Sequence, residues 1–117
     1  MINFTAFKKG ERRLFIDFDL YTEGDKDFKQ ELISSMVKDL DELQQASKRS
    51  CQQNDPTAFH TAIHKVKATV TMLDDPELIH AIEDLRSAFS ASIQSKALAS
   101  FHNICSEVMT SLRKANC

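Results

Sequence analysis

After Gly24, Phe28, Leu32, Met36, Leu40 and Leu43 recur at three- and four-residue spacing. This predicts an amphipathic helix capped by Asp25 and running to about Lys48. Ile33 and Val37 form a second, flanking apolar stripe, either covered by a neighbouring element or left as a docking surface for a partner. Asn54-Asp55-Pro56 opens a second helix, because a capping side chain precedes a proline whose missing N–H is harmless at the first helical position. Phe59, Ile63, Val66, Val70 and Leu73 mark its buried stripe. Asp74-Asp75-Pro76 ends that helix and starts a third, with Asp75 as cap, carrying Leu78, Ile82, Leu85 and Phe89. Ser90–Ser95 is a weakly patterned connection. A fourth helix carries Leu98, Phe101, Cys105, Val108 and Leu112, and Lys114 suits the negative end of its dipole. Four amphipathic helices with short connections predict an all-α fold, an antiparallel up-down four-helix bundle over residues 23–117.

Residues 1–22 have a different pattern. Four of the eight phenylalanines sit here: Phe4, Phe7, Phe15 and Phe18. Ile16, Phe18 and Leu20 alternate with Asp17 and Asp19, the period of a half-buried strand, and Lys8-Lys9-Gly10-Glu11 would turn a short hairpin. The other reading is an irregular arm that lays its aromatics over the bundle. Either way, these residues form an N-terminal extension packed on the helices.

Composition narrows the function. Two glycines and two prolines in 117 residues exclude glycine-rich phosphate loops and dinucleotide-binding fingerprints. The net charge of -2 offers no basic excess for a nucleic-acid backbone. No apolar run approaches the ~20 residues of a membrane span, and the first residues lack a signal peptide's continuous apolar stretch. Cys51, Cys105 and Cys117 are odd in number and widely spaced, which fits a reducing cytoplasm better than a disulfide framework.

The second helix carries the candidate chemistry. At ~100° per residue, His64 falls roughly opposite the middle of the buried arc and faces solvent. Thr57, Thr61, Ala68 and Thr71 share that outward face, and all are small. Lys67 lies beside His64 at i+3. Neutral imidazole is a good nucleophile that titrates near neutrality. A neighbouring ammonium disfavours the imidazolium and attracts a phosphoryl group once attached, by about 1 kcal/mol or less at an exposed site. Small neighbours let another protein's surface approach, as in-line phosphoryl transfer requires. His60 and His64 at i, i+4 offer two metal ligands on one face, but the intervening Thr61-Ala62-Ile63 lacks a zincin glutamate and no third ligand is evident. His80 and His102 suit surface or helix-boundary positions.

His64-Lys65-Val66-Lys67-Ala68 resembles the signature of histidine-containing phosphotransfer (HPt) domains: histidine, any residue, an aliphatic, lysine, then a small residue. Glu23-Gly24-Asp25-Lys26-Asp27-Phe28-Lys29-Gln30-Glu31-Leu32 resembles the start of that family's first bundle helix. Leu73 and Glu83-Asp84-Leu85 match further positions, so the resemblance covers about residues 20–112. Ala68 stands where glycine is more usual, Thr71 is larger than the common residue there, and Asp74 replaces a frequent glycine. The resemblance implies a cytoplasmic, monomeric phosphoryl carrier without kinase activity, in a multistep two-component phosphorelay. His64 would be the phosphoryl acceptor, Lys67 would stabilise the phosphoryl group, and Ala68 would keep the docking face open. The implied partners are response-regulator receiver domains and a hybrid sensor histidine kinase. The implied chain has no cofactor of its own, since Mg2+ belongs on the receiver.

Two competing readings use the same helices. An interaction module without phosphorylation would bind through Ile33, Val37 and the N-terminal phenylalanines. A small metal-binding bundle would use His60 and His64.

Overall fold

A computed structural model describes residues 12–91 and 94–116. Among these residues the fold is all-helical, with no strand: α1 (Phe18–Tyr21), α2 (Lys26–Gln53), α3 (Thr57–Lys65), α4 (Lys67–Leu73), α5 (Pro76–Ala91) and α6 (Gln94–Ala115). The fold is compatible with a helical bundle. Helix α2 packs on α3 and α6, and α5 packs on α6.

The long helix α2 begins where Asp25 accepts the Phe28 N–H at 3.0 Å, the capping expected there. It continues past Lys48 to Gln53 and stops at Asn54, whose left-handed φ of 52° terminates the ladder. Asparagine tolerates that region better than most residues. The extra turn follows from Ser47 and Ser50, which are buried rather than solvated. Ser47 Oγ donates to Gln44 O at 2.6 Å, and Ser50 Oγ accepts the Phe59 N–H at 2.9 Å. With their hydroxyls satisfied, the serines extend the buried face.

That face is Ile33, Met36, Leu40, Leu43 and Ala46. It is rotated from the expected stripe: Phe28 is 44% exposed and Leu32 is half-buried. Phe28 instead meets Tyr21, ring centroids 6.3 Å apart. Ile33, on the flanking stripe read as either covered by a neighbouring element or open to a partner, is 1% exposed and belongs to the core, so the partner-docking reading does not hold for it. Val37 is half-buried against it.

The second predicted helix is two. Val66, at φ −102° and ψ 14°, separates α3 from α4. The turn register survives, because Val66 N–H bonds Ala62 O at 3.0 Å and Val70 N–H bonds Val66 O at 3.1 Å. The buried positions are Phe59, Ala62, Val66, Thr69 and Leu73, while Ile63 and Val70 are half-buried at the flank. Thr69 can face inward because its hydroxyl donates to Asp39 Oδ2 at 2.5 Å. Phe59 is fully buried against Phe89 and Phe101, at 5.9 and 6.0 Å between centroids.

Asp75 caps α5 as expected, accepting from Glu77 N–H at 3.0 Å and Leu78 N–H at 3.3 Å. Helix α5 runs through Ser90 and Ala91 and α6 begins at Gln94, so most of the expected connection at Ser90–Ser95 is helical. The fourth stripe holds: Phe101, Cys105, Val108 and Leu112 are buried, with Leu98 half-buried.

The proposed strand through Ile16, Phe18 and Leu20 is a correction. Asp17 accepts the Leu20 N–H at 3.1 Å and caps the short helix α1, which turns Phe18 into the core and leaves Leu20 77% exposed. Upstream, residues 12–17 form no helix or strand and bend at Phe15 and Ile16, with Leu14 and Ile16 against the core. The hairpin turn at Lys8–Glu11, and Phe4 and Phe7, lie outside the described residues.

Candidate functional site

The structure leaves His64 exposed on the last turn of α3. Relative to the observed buried positions, His64 points roughly 180° from their centre at ~100° per residue. Among the described residues its ring has no hydrogen-bond or ion-pair partner. Both ring nitrogens are therefore open to solvent or to a partner molecule.

The two lysines near it differ. Lys65 Nζ lies 2.9 Å from Glu42 Oε1 on α2, so its charge is engaged across the helix pair. Lys67 opens α4, is exposed, and has no ion-pair partner among the described residues. Val66 marks the break between α3 and α4, and Lys67 follows His64 by three residues across it.

The small residues sit on the surface as expected: Thr57, Thr61, Ala68 and Thr71 are all exposed. Thr57 also has a local task. Its backbone N–H and hydroxyl donate to Asp55 Oδ1 at 3.0 and 2.7 Å, fixing the start of α3. That hydroxyl, and then the N–H, hold Asp55 below the usual carboxylate range. Ile33 is not at this surface.

Two contributors to the site's border come from α5. Ile79, 38% exposed, and Glu83 line a shallow depression of about 100 Å³ together with Lys67 and Thr71. Reasoning along one helix could not place them beside Lys67. The available signal was Ile79 itself, an isoleucine off the Leu78–Ile82–Leu85 stripe.

His60 and His64 remain exposed on α3, and no group of three or more possible metal-ligating side chains occurs among the described residues. No helix of the described residues is long and apolar enough to cross a membrane. His80 is exposed, 3.4 Å from Asp84 on its own helix. His102 is half-buried against α2, its Nε2 3.1 Å from Ser47 Oγ. Burial, and then the charge of Lys48, lower its pKa from the usual histidine value. Comparison with protein-family models, with curated proteins and with solved structures finds no match.

Proposed function

We propose that this chain is a histidine phosphotransfer protein of a multistep phosphorelay, working in the cytoplasm between receiver domains. The observation that carries the reading is an exposed, unengaged His64 with an exposed Lys67 three residues on, among small exposed side chains. A nitrogen lone pair of His64 attacks the phosphorus of a receiver's aspartyl phosphate. The N–P bond forms, the aspartyl O–P bond breaks, and a carboxylate leaves. The imidazole then loses a proton to solvent. Running the same step backwards delivers the group to a second receiver. Lys67 compensates phosphoryl charge, while magnesium for the transfer belongs to the receiver.

The proposal includes the antiparallel up-down bundle. Along α2, Asp39, Glu42 and Ser50 bond in turn to Thr69, Lys65 and Phe59, in descending order. Leu40 meets Cys105, whereas Ser47 further on meets His102. Both pairings run in opposite directions, which supports the up-down arrangement. Burial of Ile33 weighs against the alternative interaction module, which needs Ile33 and Val37 as its face.

The test is incubation with a phosphorylated receiver domain. Acid-labile, base-stable label should appear on His64. The variant His64→Gln should remain folded, since the side chain lies outside the core, and should take no label. Label retained in that variant, or found on His60, would overturn the assignment.

A further inference from the structure

We propose that the exposed apolar patch of Leu20, Tyr21 and Phe28 docks a basic amphipathic segment of a partner protein. This inference goes beyond the phosphotransfer reading and does not depend on it. Five large hydrophobic side chains are exposed among the described residues, and four of them lie between Phe15 and Phe28. Leu20 is 77% exposed, Tyr21 53% and Phe28 44%. The Tyr21 and Phe28 rings meet at 6.3 Å between centroids, so α1 and the start of α2 form one patch. An apolar patch with a polar rim marks an interaction site.

The rim names the partner's charge. Asp17 and Asp25 stand beside the patch, because their carboxylates cap α1 and α2 through the Leu20 and Phe28 N–H groups at 3.1 and 3.0 Å. Asp19, Glu23 and Asp27 are also exposed in the same stretch. Against these five carboxylates stand two cations, Lys26 and Lys29, and Asp19 engages Lys29 at 3.0 Å. Phe15 is left out of the patch, since it borders a depression shared with Arg13 and the end of α6.

That charge selects among occupants. A membrane surface is anionic and is repelled by the rim. A second copy of the chain would bring two acidic rims together, a like-charge contact that costs affinity. A segment with apolar residues on one face and Lys or Arg beside them satisfies both the patch and its rim.

The patch also lies apart from the histidine surface. Lys65, next to His64, reaches Glu42 on α2. Phe28 precedes Glu42 by fourteen residues, ~21 Å of helix.

The test uses Tyr21 as reporter, because the chain has one tyrosine and no tryptophan. The probe is a synthetic amphipathic helical peptide of leucine and lysine. Its titration into the full-length chain should change the Tyr21 emission saturably. The same peptide with glutamate for lysine should produce no change. The double variant Leu20→Ser, Phe28→Ser should melt near the parent, as both side chains are exposed, and bind the lysine peptide roughly ten-fold more weakly. No response to the lysine peptide, an equal response to the glutamate peptide, or parental affinity in the double variant would each overturn the proposal. So would a dimer of the chain alone in sedimentation that the double variant abolishes, because the occupant would then be a second copy. Displacement of the peptide by an unphosphorylated receiver domain would also overturn it, by merging the patch with the His64 surface.

Discussion

Arg12 Nε lies 3.0 Å from Asp75 Oδ2, while Oδ1 of the same carboxylate caps α5 through Glu77 and Leu78. One nearly buried acid thus joins the N-terminal arm to the turn between α4 and α5. The Arg12 and Asp75 side chains are 11% and 5% exposed, so solvent screens this pair far less than a surface one. Arg12→Ala would leave a buried carboxylate with only its two cap bonds. We expect a loss of about 2–3 kcal/mol, a fall of roughly 10 °C in melting temperature. Glu77→Ala, removing a partner that is 70% exposed, should cost about 0.5 kcal/mol or less. Calorimetry of the two variants tests this; equal melts would show that the arm contributes no stability through Arg12.

Cys105 supplies a stability change at alkaline pH. Its thiol is fully buried, 3.7 Å from Leu40 O. Burial first, and then the charge of Asp41, push its pKa up to about 12 from the ordinary 9.0. The unfolded chain releases this proton near pH 9 and the folded chain does not. The contribution is therefore complete below pH 9 and declines as pH rises toward 12, by about 1.4 kcal/mol per pH unit at most. Urea melts at pH 8 and pH 10 should show a larger loss for the parent than for Cys105→Ala. Identical losses would remove Cys105 as the cause.

How far the sequence discloses this protein depends on which force acts. Helix starts at Asp25 and Asp75 are local chemistry, one side chain capping nearby N–H groups, and they are legible. So is the outward face of His64, because periodicity alone sets it. The rotation of the α2 and α3–α4 faces is not legible. Thr69, Ser47 and Ser50 are buried only because Asp39, Gln44 and Phe59 satisfy them, and two of those partners lie on another helix. Leu20 misled for a related reason: alternation resembles a strand until Asp17 turns the chain into α1. Ile79 and Glu83 joined the site only through tertiary packing.

Lys67 and Lys65 make a matched pair for testing electrostatics. Lys67→Ala sits at an exposed helical position where alanine is the better helix former, so stability should change by about 0.5 kcal/mol or less. Transfer to His64 should slow, or the phosphohistidine lifetime shorten, by roughly three- to ten-fold. Lys65→Ala breaks the ion pair with Glu42 and should leave transfer near the parental rate. Rapid-quench phosphotransfer measurements separate the two. Equal effects would mean that net charge, rather than the Lys67 position, matters.

Ala68 is the sharpest test of the docking face. It is exposed on the first turn of α4, one turn beyond His64, and the bonds from Val66 to Ala62 and from Val70 to Val66 keep that register across the kink. Reacting atoms in a phosphoryl transfer must approach within about 3–3.5 Å. A long side chain at Ala68 would hold a partner's aspartate beyond that distance, whereas a small phosphodonor such as phosphoramidate would still reach the imidazole. Arginine is a good helix former, so Ala68→Arg should melt within about 0.5 kcal/mol of the parent. Transfer from a phosphorylated receiver should fall by roughly 100-fold, as a misplacement of about 1 Å can do, while labelling by phosphoramidate stays close to parental. Parental transfer rates from the receiver would move the docking face off α4. A parallel loss with phosphoramidate would instead place the effect on the His64 imidazole itself.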